Sequence, residues 1–264
     1  MAAISNQGLR RSSQLDPSIA KWGWAAIELG LAYAAILNSA WWWLLGLAFL
    51  AAAVELRGHW SSGLGELKER LLQLAPELIV VWSTILTMAV LPRRLSQLVL
   101  LAAFAVWLAW RARADEAATL TFVHLLLVQA IMFEGIFLTA AIWQTPAWLI
   151  LALVWGGAYL SVYSVLRRQK ERTAGVVAAT WAVIATEVAW VLMLWLVTYV
   201  LQQDGFVMVP QPALILTALA YVFGSIFLAS RQGILSRSRL AEYLIIGLIL
   251  VLIVVVETLW RHAA

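Results

Sequence analysis

Long apolar stretches alternate with short polar connections along almost the whole chain. Each stretch is close to the about 20 residues that a helix needs to cross the hydrocarbon core of a bilayer. Nine stretches are present, at residues 22–37, 40–56, 75–91, 95–110, 118–143, 146–166, 174–201, 212–230 and 240–260. The pattern therefore predicts an all-α fold, a polytopic transmembrane helical bundle of about nine spans.

The first two stretches are separated by Asn38 and Ser39 alone. A single helix over 22–56 would be about 50 Å long, because an α-helix rises about 1.5 Å per residue. The hydrocarbon core is only about 30 Å thick. A tight turn at these two residues is therefore the better interpretation.

Composition supports the same fold class. The 264 residues are 64% hydrophobic and 12% charged, whereas soluble domains are about 45–50% apolar and about 25% charged. A water-soluble fold cannot cover that much apolar surface. We interpret 1–21 as a polar segment without the apolar core of a removable signal peptide, and 22–262 as a single transmembrane domain. The absence of cysteine excludes disulfides and thiolate chemistry.

The distribution of positive charge explains the net charge of +4 without a nucleic-acid partner. Lys and Arg near span ends are retained on the cytoplasmic side. Fifteen of the 18 lie in the amino-terminal segment or in every second connection, and the others are Arg93, Arg94 and Arg261. This bias predicts a plasma (inner) membrane protein with a cytoplasmic amino terminus and, with nine spans, a carboxyl terminus on the opposite side.

A weak internal repeat runs through the spans. A glutamate recurs on each odd-numbered span, and an arginine follows the end of each even-numbered span. The glutamates are Glu28, Glu77, Glu134, Glu187 and Glu242, and the arginines are Arg57, Arg111, Arg167 and Arg231. We interpret this as four helical hairpins plus a final helix. Alternating spans with basic inner flanks produce a similar pattern without duplication.

Residues 64–74, LGELKERLLQL, have a different pattern. Four leucines fall on one helical face and the charged residues lie opposite. This predicts a short interfacial amphipathic helix on the inner surface, before the third span.

Two glutamates lie about midway along predicted spans. Glu134 belongs to span 118–143 and Glu187 to span 174–201, each more than ten residues from any Lys or Arg. An ionisable group at this depth costs about 2.5–3.5 kcal/mol, which makes it a functional candidate. A carboxyl group in apolar surroundings without a cation favours its neutral form. It then binds and releases a proton, contacts a ligand, or forms a structural hydrogen bond between helices.

Further candidates follow from spacing. Thr180 and Thr198 lie 7 and 11 residues from Glu187, which places all three on one face of a continuous helix. Trp190 is a deep indole, and Glu28 lies seven residues beyond Lys21. The ligand- or proton-binding candidates are Glu134, Glu187, Glu28, Thr180, Thr198 and Trp190. The sequence identifies no catalytic residue.

The sequence lacks the residues that several known membrane-protein functions require. No lysine lies deep in a late span, as a retinal protein requires. His124 is the single histidine inside a predicted span, and a lone imidazole does not indicate a metal site. Zinc-protease, P-loop and nucleophile-elbow motifs are absent. We therefore expect no metal and no cofactor.

Three functions remain open. The first is transport or intramembrane binding of a small or lipid-like molecule by mid-membrane glutamates. The second is an intramembrane enzyme acting on an isoprenoid or other lipid through glutamate acid/base chemistry. The third is a structural or assembly subunit, whose partners are other membrane subunits. The residues favour binding over catalysis.

Overall fold

A computed structural model describes residues 17–37, 46, 50, 64–113, 122–194, 196–200, 208–234 and 236–263, nearly all of them helical. The elements in chain order are α1 (Pro17–Leu37), α2 (Leu64–Val90), α3 (Arg94–Arg113), α4 (Phe122–Trp143), α5 (Ala147–Arg168), α6 (Ala174–Met193), β1 (Thr198–Val200), β2 (Met208–Pro210), α7 (Gln211–Arg231) and α8 (Arg237–Ala263). The predicted all-α fold therefore needs one correction, a small two-stranded sheet.

Six helical segments are long and apolar enough to cross a membrane: Leu71–Val90, Arg94–Arg113, Phe122–Trp143, Ala147–Arg168, Ala174–Met193 and Gln211–Arg231. The chain thus folds as a helical membrane bundle. The count of nine spans is not confirmed and stays a prediction. The predicted second span, 40–56, lies outside the described residues except for positions 46 and 50.

Helices α2 and α4 pack against each other in the middle of the bundle. Gly135 of α4 permits this approach, since a Cβ atom there would lie 2.8 Å from the carbonyl oxygen of Ser83 on α2. Small residues at such contacts let two backbones come close. Buried side chains form one core among α1, α2 and α3, which also includes Val128 of α4, and a second core among α4, α5, α6 and α7.

The packing follows a regular order. Helix α1 packs against α3, α2 against α5, and α4 against α7. Helices α1, α2 and α4 are the first helices of the first three predicted hairpins. Each of them contacts the second helix of the following hairpin, which is α3, α5 or α7 respectively. The hairpin repeat itself is not confirmed and stays a prediction.

Helix α6 is shorter than the predicted span 174–201. It ends at Met193, and Thr198 lies in β1, paired with Pro210 of β2. The run from Val197 to Val200 is β-branched and aromatic, which suits a strand as well as an apolar span. Thr198 therefore does not share a helical face with Glu187, and Glu187 lies six residues from the end of its helix rather than midway.

The segment 64–74 also differs from its prediction. It forms the beginning of α2, which continues through Pro76 to Val90 as one helix. Pro76 removes one helical hydrogen bond, but the residues from Ala75 to Leu78 are all buried. Their packing keeps the helix continuous, and Glu77 consequently lies in the middle of this helix.

Candidate functional site

Two of the membrane acids are paired with arginines from another helix. Glu28 of α1 is buried, and Nη1 of Arg111 lies 3.3 Å from both of its carboxylate oxygens. Glu77 of α2 is buried as well, and its Oε2 lies 3.7 Å from Nη2 of Arg168. These pairs connect α1 to α3 and α2 to α5. Breaking either pair would leave an uncompensated buried charge, so both pairs hold neighbouring helices together.

The pairing gives Glu28 a basic partner, although the basic residues of the chain lie in connections or near span ends. Side chains on an α-helix tilt toward its amino terminus. Arg111, near the carboxyl end of α3, therefore points back along its helix, and Glu28 points toward the beginning of the antiparallel α1. The two side chains meet although Arg111 lies near a helix end.

Helix α3 packs against α1 and, less extensively, against α2, which leaves an opening between α3 and α4. This α3–α4 cleft has a volume of about 690 Å³. Its lining is mostly apolar and consists of Val80, Thr84, Thr87, Leu100, Ala103, Phe104, Val106, Trp107, Trp110, Val123, His124, Leu127, Ala130, Ile131 and Glu134. Volume and lining are typical of a site for a small apolar molecule.

One group of polar atoms lies toward the beginning of α4. His124 is buried there, and its ring centroid lies 5.9 Å from that of Trp110. The indole N–H of Trp107 is buried and has no hydrogen-bond partner among the described residues. The Trp107 ring stacks on Phe104 with centroids 5.7 Å apart, and the Arg111 guanidinium lies 5.6 Å from its centre. This end of the cleft therefore presents a fixed aromatic wall.

Glu134 supplies a second polar group near the middle of the helix. It lies 12 residues after Phe122 in the 22-residue α4, which is about 18 Å along the axis. The side chain is partly buried, and no described basic residue pairs with it. It also lines a second cavity of about 370 Å³ between α4 and α7, with Thr217 and Tyr221. Glu134 thus stands where two cavities adjoin α4.

The other predicted candidates lie elsewhere. Thr180, Glu187 and Trp190 are exposed on the outer face of α6, and Thr198 is in β1. Glu134 and Glu187 therefore do not line a common cavity. Of the six candidates, the structure places Glu134 alone in the wall of the cleft.

The cleft contains residues that the sequence patterns above do not indicate as candidates. His124 was considered only as a metal ligand, and the tryptophans of α3 were not singled out. A signal was present in the spacing, because Thr84 and Thr87, like Trp107 and Trp110, lie three residues apart and share a helical face. Which of these faces meet across a cleft depends on helix packing, which the sequence does not reveal.

Fold and cleft together define a helical integral membrane protein with a mostly apolar cleft that contains one carboxyl group and one imidazole. No model of a known protein family matches the sequence, and no characterised protein or solved structure shows significant similarity to it. Within the described ranges, no group of three His, Asp or Glu residues is placed to hold a metal ion.

Proposed function

We propose that this protein binds a lipid-like molecule within the bilayer, in the α3–α4 cleft, with Glu134 as its polar contact. The observation that carries the proposal is the placement of a mid-helix carboxyl group in the wall of an otherwise apolar opening of about 690 Å³. An ionisable group in a membrane span is expensive and is retained where it serves a site. A cleft of this kind is filled by a molecule with a large apolar part and a small polar group.

The chemistry of the wall defines the ligand class. Phe104, Trp107 and Trp110 offer flat apolar surfaces for a chain or ring. Glu134 hydrogen-bonds a hydroxyl, amide or carbonyl group of the ligand. We infer an uncharged amphiphile, since the described lining contains no Lys or Arg to balance an anionic group.

Binding is the step that the cleft supports, and transport requires a further opening toward both surfaces. The enzymatic alternative is weaker. His124 and Glu134 are ten residues apart on one helix, about 15 Å along the axis, so they cannot act together on one bond. General acid/base catalysis needs groups within hydrogen-bond reach of the same reacting atoms.

The proposal includes the orientation of the bundle in the membrane. Arg167 at the end of α5 pairs with Glu69 near the beginning of α2, at 3.2 Å, and Arg231 at the end of α7 pairs with Glu171. These contacts gather the arginine-rich helix ends at one end of the bundle. Following the positive charge, we propose that this end faces the cytoplasm of a plasma (inner) membrane protein.

Photolabelling tests the binding proposal. The protein is reconstituted in phosphatidylcholine vesicles with a long-chain primary alcohol that carries a diazirine in its chain. We expect saturable labelling of α3 and α4 peptides, displaced by unlabelled alcohol. Glu134→Leu should weaken binding about tenfold, which corresponds to the about 1.4 kcal/mol of one buried hydrogen bond. Filling the cleft with Ala103→Trp should abolish the saturable component.

The matched control is Glu242→Leu, which removes an exposed glutamate near the beginning of α8, away from the cleft. It should leave the labelling unchanged. Labelling that does not saturate, or that spreads evenly over lipid-facing helices in wild type and Ala103→Trp alike, would refute a specific site in the cleft.

A further inference from the structure

The outer face of α6 carries an acid that the cleft does not explain. Val183, Glu187 and Trp190 are all exposed on this face, with Thr180 on the same stripe. An apolar exposed face is ordinary for a membrane helix because lipid covers it. A carboxyl group in its midst is not ordinary, since lipid tails offer it no hydrogen bond and no counter-charge.

Helix geometry keeps Glu187 away from the nearer membrane surface. The residue lies six positions before Met193 and 13 after Ala174, about 9 Å and about 20 Å along the axis. Its side chain tilts toward the amino terminus of α6, which is the more distant end. The carboxyl group is therefore directed toward the middle of the span rather than toward the nearby helix end.

Two other glutamates in membrane helices of this protein are paired with arginines. Glu28 on α1 and Glu77 on α2 each lie against an arginine supplied by another helix packed on that face, Arg111 and Arg168 respectively. Helices α1, α2 and α6 run in the same direction through the bundle. On α6, none of the helices in the described part of the chain brings a basic side chain to Glu187.

We propose that this face, defined by Thr180, Val183, Glu187 and Trp190, docks a transmembrane helix of a different protein, which carries an arginine or lysine within its span. Charge complementarity selects this occupant. Lys and Arg of the chain itself lie in connections or near span ends, so a copy inserted in the same orientation presents none at the level of Glu187. Arg94, at the amino end of α3, tilts away from the membrane middle.

A designed helix tests the proposal in reconstituted vesicles. The probe is a leucine–alanine transmembrane peptide with one arginine two turns from its outer end, and its matched control has leucine at that position. Because the chain has no cysteine, Arg172→Cys provides one acceptor-dye site at the beginning of α6. We expect energy transfer from the arginine peptide at concentrations at least tenfold below those for the leucine peptide.

Glu187→Leu should abolish this preference, and Glu242→Leu should preserve it. A preference that survives Glu187→Leu, or equal association of both peptides with wild type, would overturn the proposal. A second measurement uses Val183→Cys with an oxidant in membranes. A disulfide-linked dimer of this chain would assign the face to a second copy and would overturn the proposed partner, whereas a monomeric product supports it.

Discussion

Glu28 on α1, Glu77 on α2 and Glu134 on α4 all lie near the middle of their helices, yet the bundle accommodates them in two different ways. Glu28 and Glu77 are buried, and each lies against an arginine. Glu134 is partly buried in a cleft wall, and no described arginine or lysine reaches it. All three are glutamates on helices that run in the same direction, so residue type does not account for the difference.

The distance to the arginine on the packed neighbouring helix accounts for the difference. The counterpart of Arg111 and Arg168 for α4 is Arg231, because α7 is the helix that packs against α4. Glu134 meets α7 near Thr217, 14 residues before Arg231 and therefore about 21 Å away along the axis. An arginine side chain cannot span that distance, and Arg231 pairs with Glu171 instead. A glutamate placed beyond arginine reach remains available to a ligand.

The comparison gives a way to separate structural from functional acids in helical membrane proteins. A glutamate within reach of a cationic helix end on a packed neighbour forms part of the scaffold. A glutamate beyond that reach, beside a cavity, is a candidate for binding. The distinction is testable, because removing the first kind should destabilise the fold and removing the second should not.

The largest effect should come from breaking the Glu28–Arg111 pair. Arg111→Ala leaves the buried carboxylate of Glu28 without its counter-charge and removes the cation over the Trp107 ring. We expect the free energy of unfolding to fall by about 3 kcal/mol, measured by denaturation with sodium dodecyl sulfate in mixed micelles. The double variant Glu28→Leu with Arg111→Met should recover most of the loss, since no charge is then left buried.

The exposed pair Arg167–Glu69 is the matched control, because both side chains are about 50% exposed. Arg167→Ala should destabilise the protein much less than Arg111→Ala does, because water and salt screen an exposed ion pair. Equal losses in Arg111→Ala and Arg167→Ala would show that the buried pair is not a special element of the scaffold.

An intermediate effect is expected at Gly135, next to Glu134. Gly135→Ala introduces a Cβ atom 2.8 Å from the Ser83 carbonyl oxygen, and that backbone atom cannot turn away. Overpacking of this kind costs about 1–3 kcal/mol, and the displacement of α4 should also weaken probe binding in the cleft. Gly156→Ala is the control, because its Cβ atom would meet no atom within 4 Å. Similar stability of the two alanine variants would contradict the close α2–α4 contact.

Much of the fold follows from the sequence, because a bilayer leaves few choices to an apolar stretch of 20 residues. The limits of α3, α4, α5 and α7 are close to the predicted spans. The prediction failed at α6, where Val197 to Val200 are apolar enough for a span and β-branched enough for a strand. It differed again at Pro76, where tertiary packing outweighs the preference of proline for a helix start.

The candidate site was less predictable. Glu134 could be selected from the sequence, because the number of residues that separates it from every arginine can be counted there without a structure. Glu28 could not be interpreted in this way, because its partner Arg111 is 83 residues away. The cleft itself arises because α3 packs on α1 and away from α4. Contacts between helices that are distant in sequence determine this packing.

The smallest effect on stability should come from replacing Glu134. Whether the free energy of unfolding rises or falls then distinguishes Glu134 from the paired acid Glu28. The Glu134 side chain makes no ion pair with the described residues, and leucine suits its apolar surroundings better. Glu134→Leu should therefore leave the free energy of unfolding unchanged or raise it by up to about 1 kcal/mol. Natural proteins commonly give up stability at functional sites in this way. The measurement is the same detergent denaturation, with Glu28→Leu as the matched glutamate variant, which should lose stability because it leaves Arg111 without its carboxylate. A loss at Glu134 as large as that at Glu28 would place Glu134 among the scaffold acids, and the cleft would then lose its polar contact.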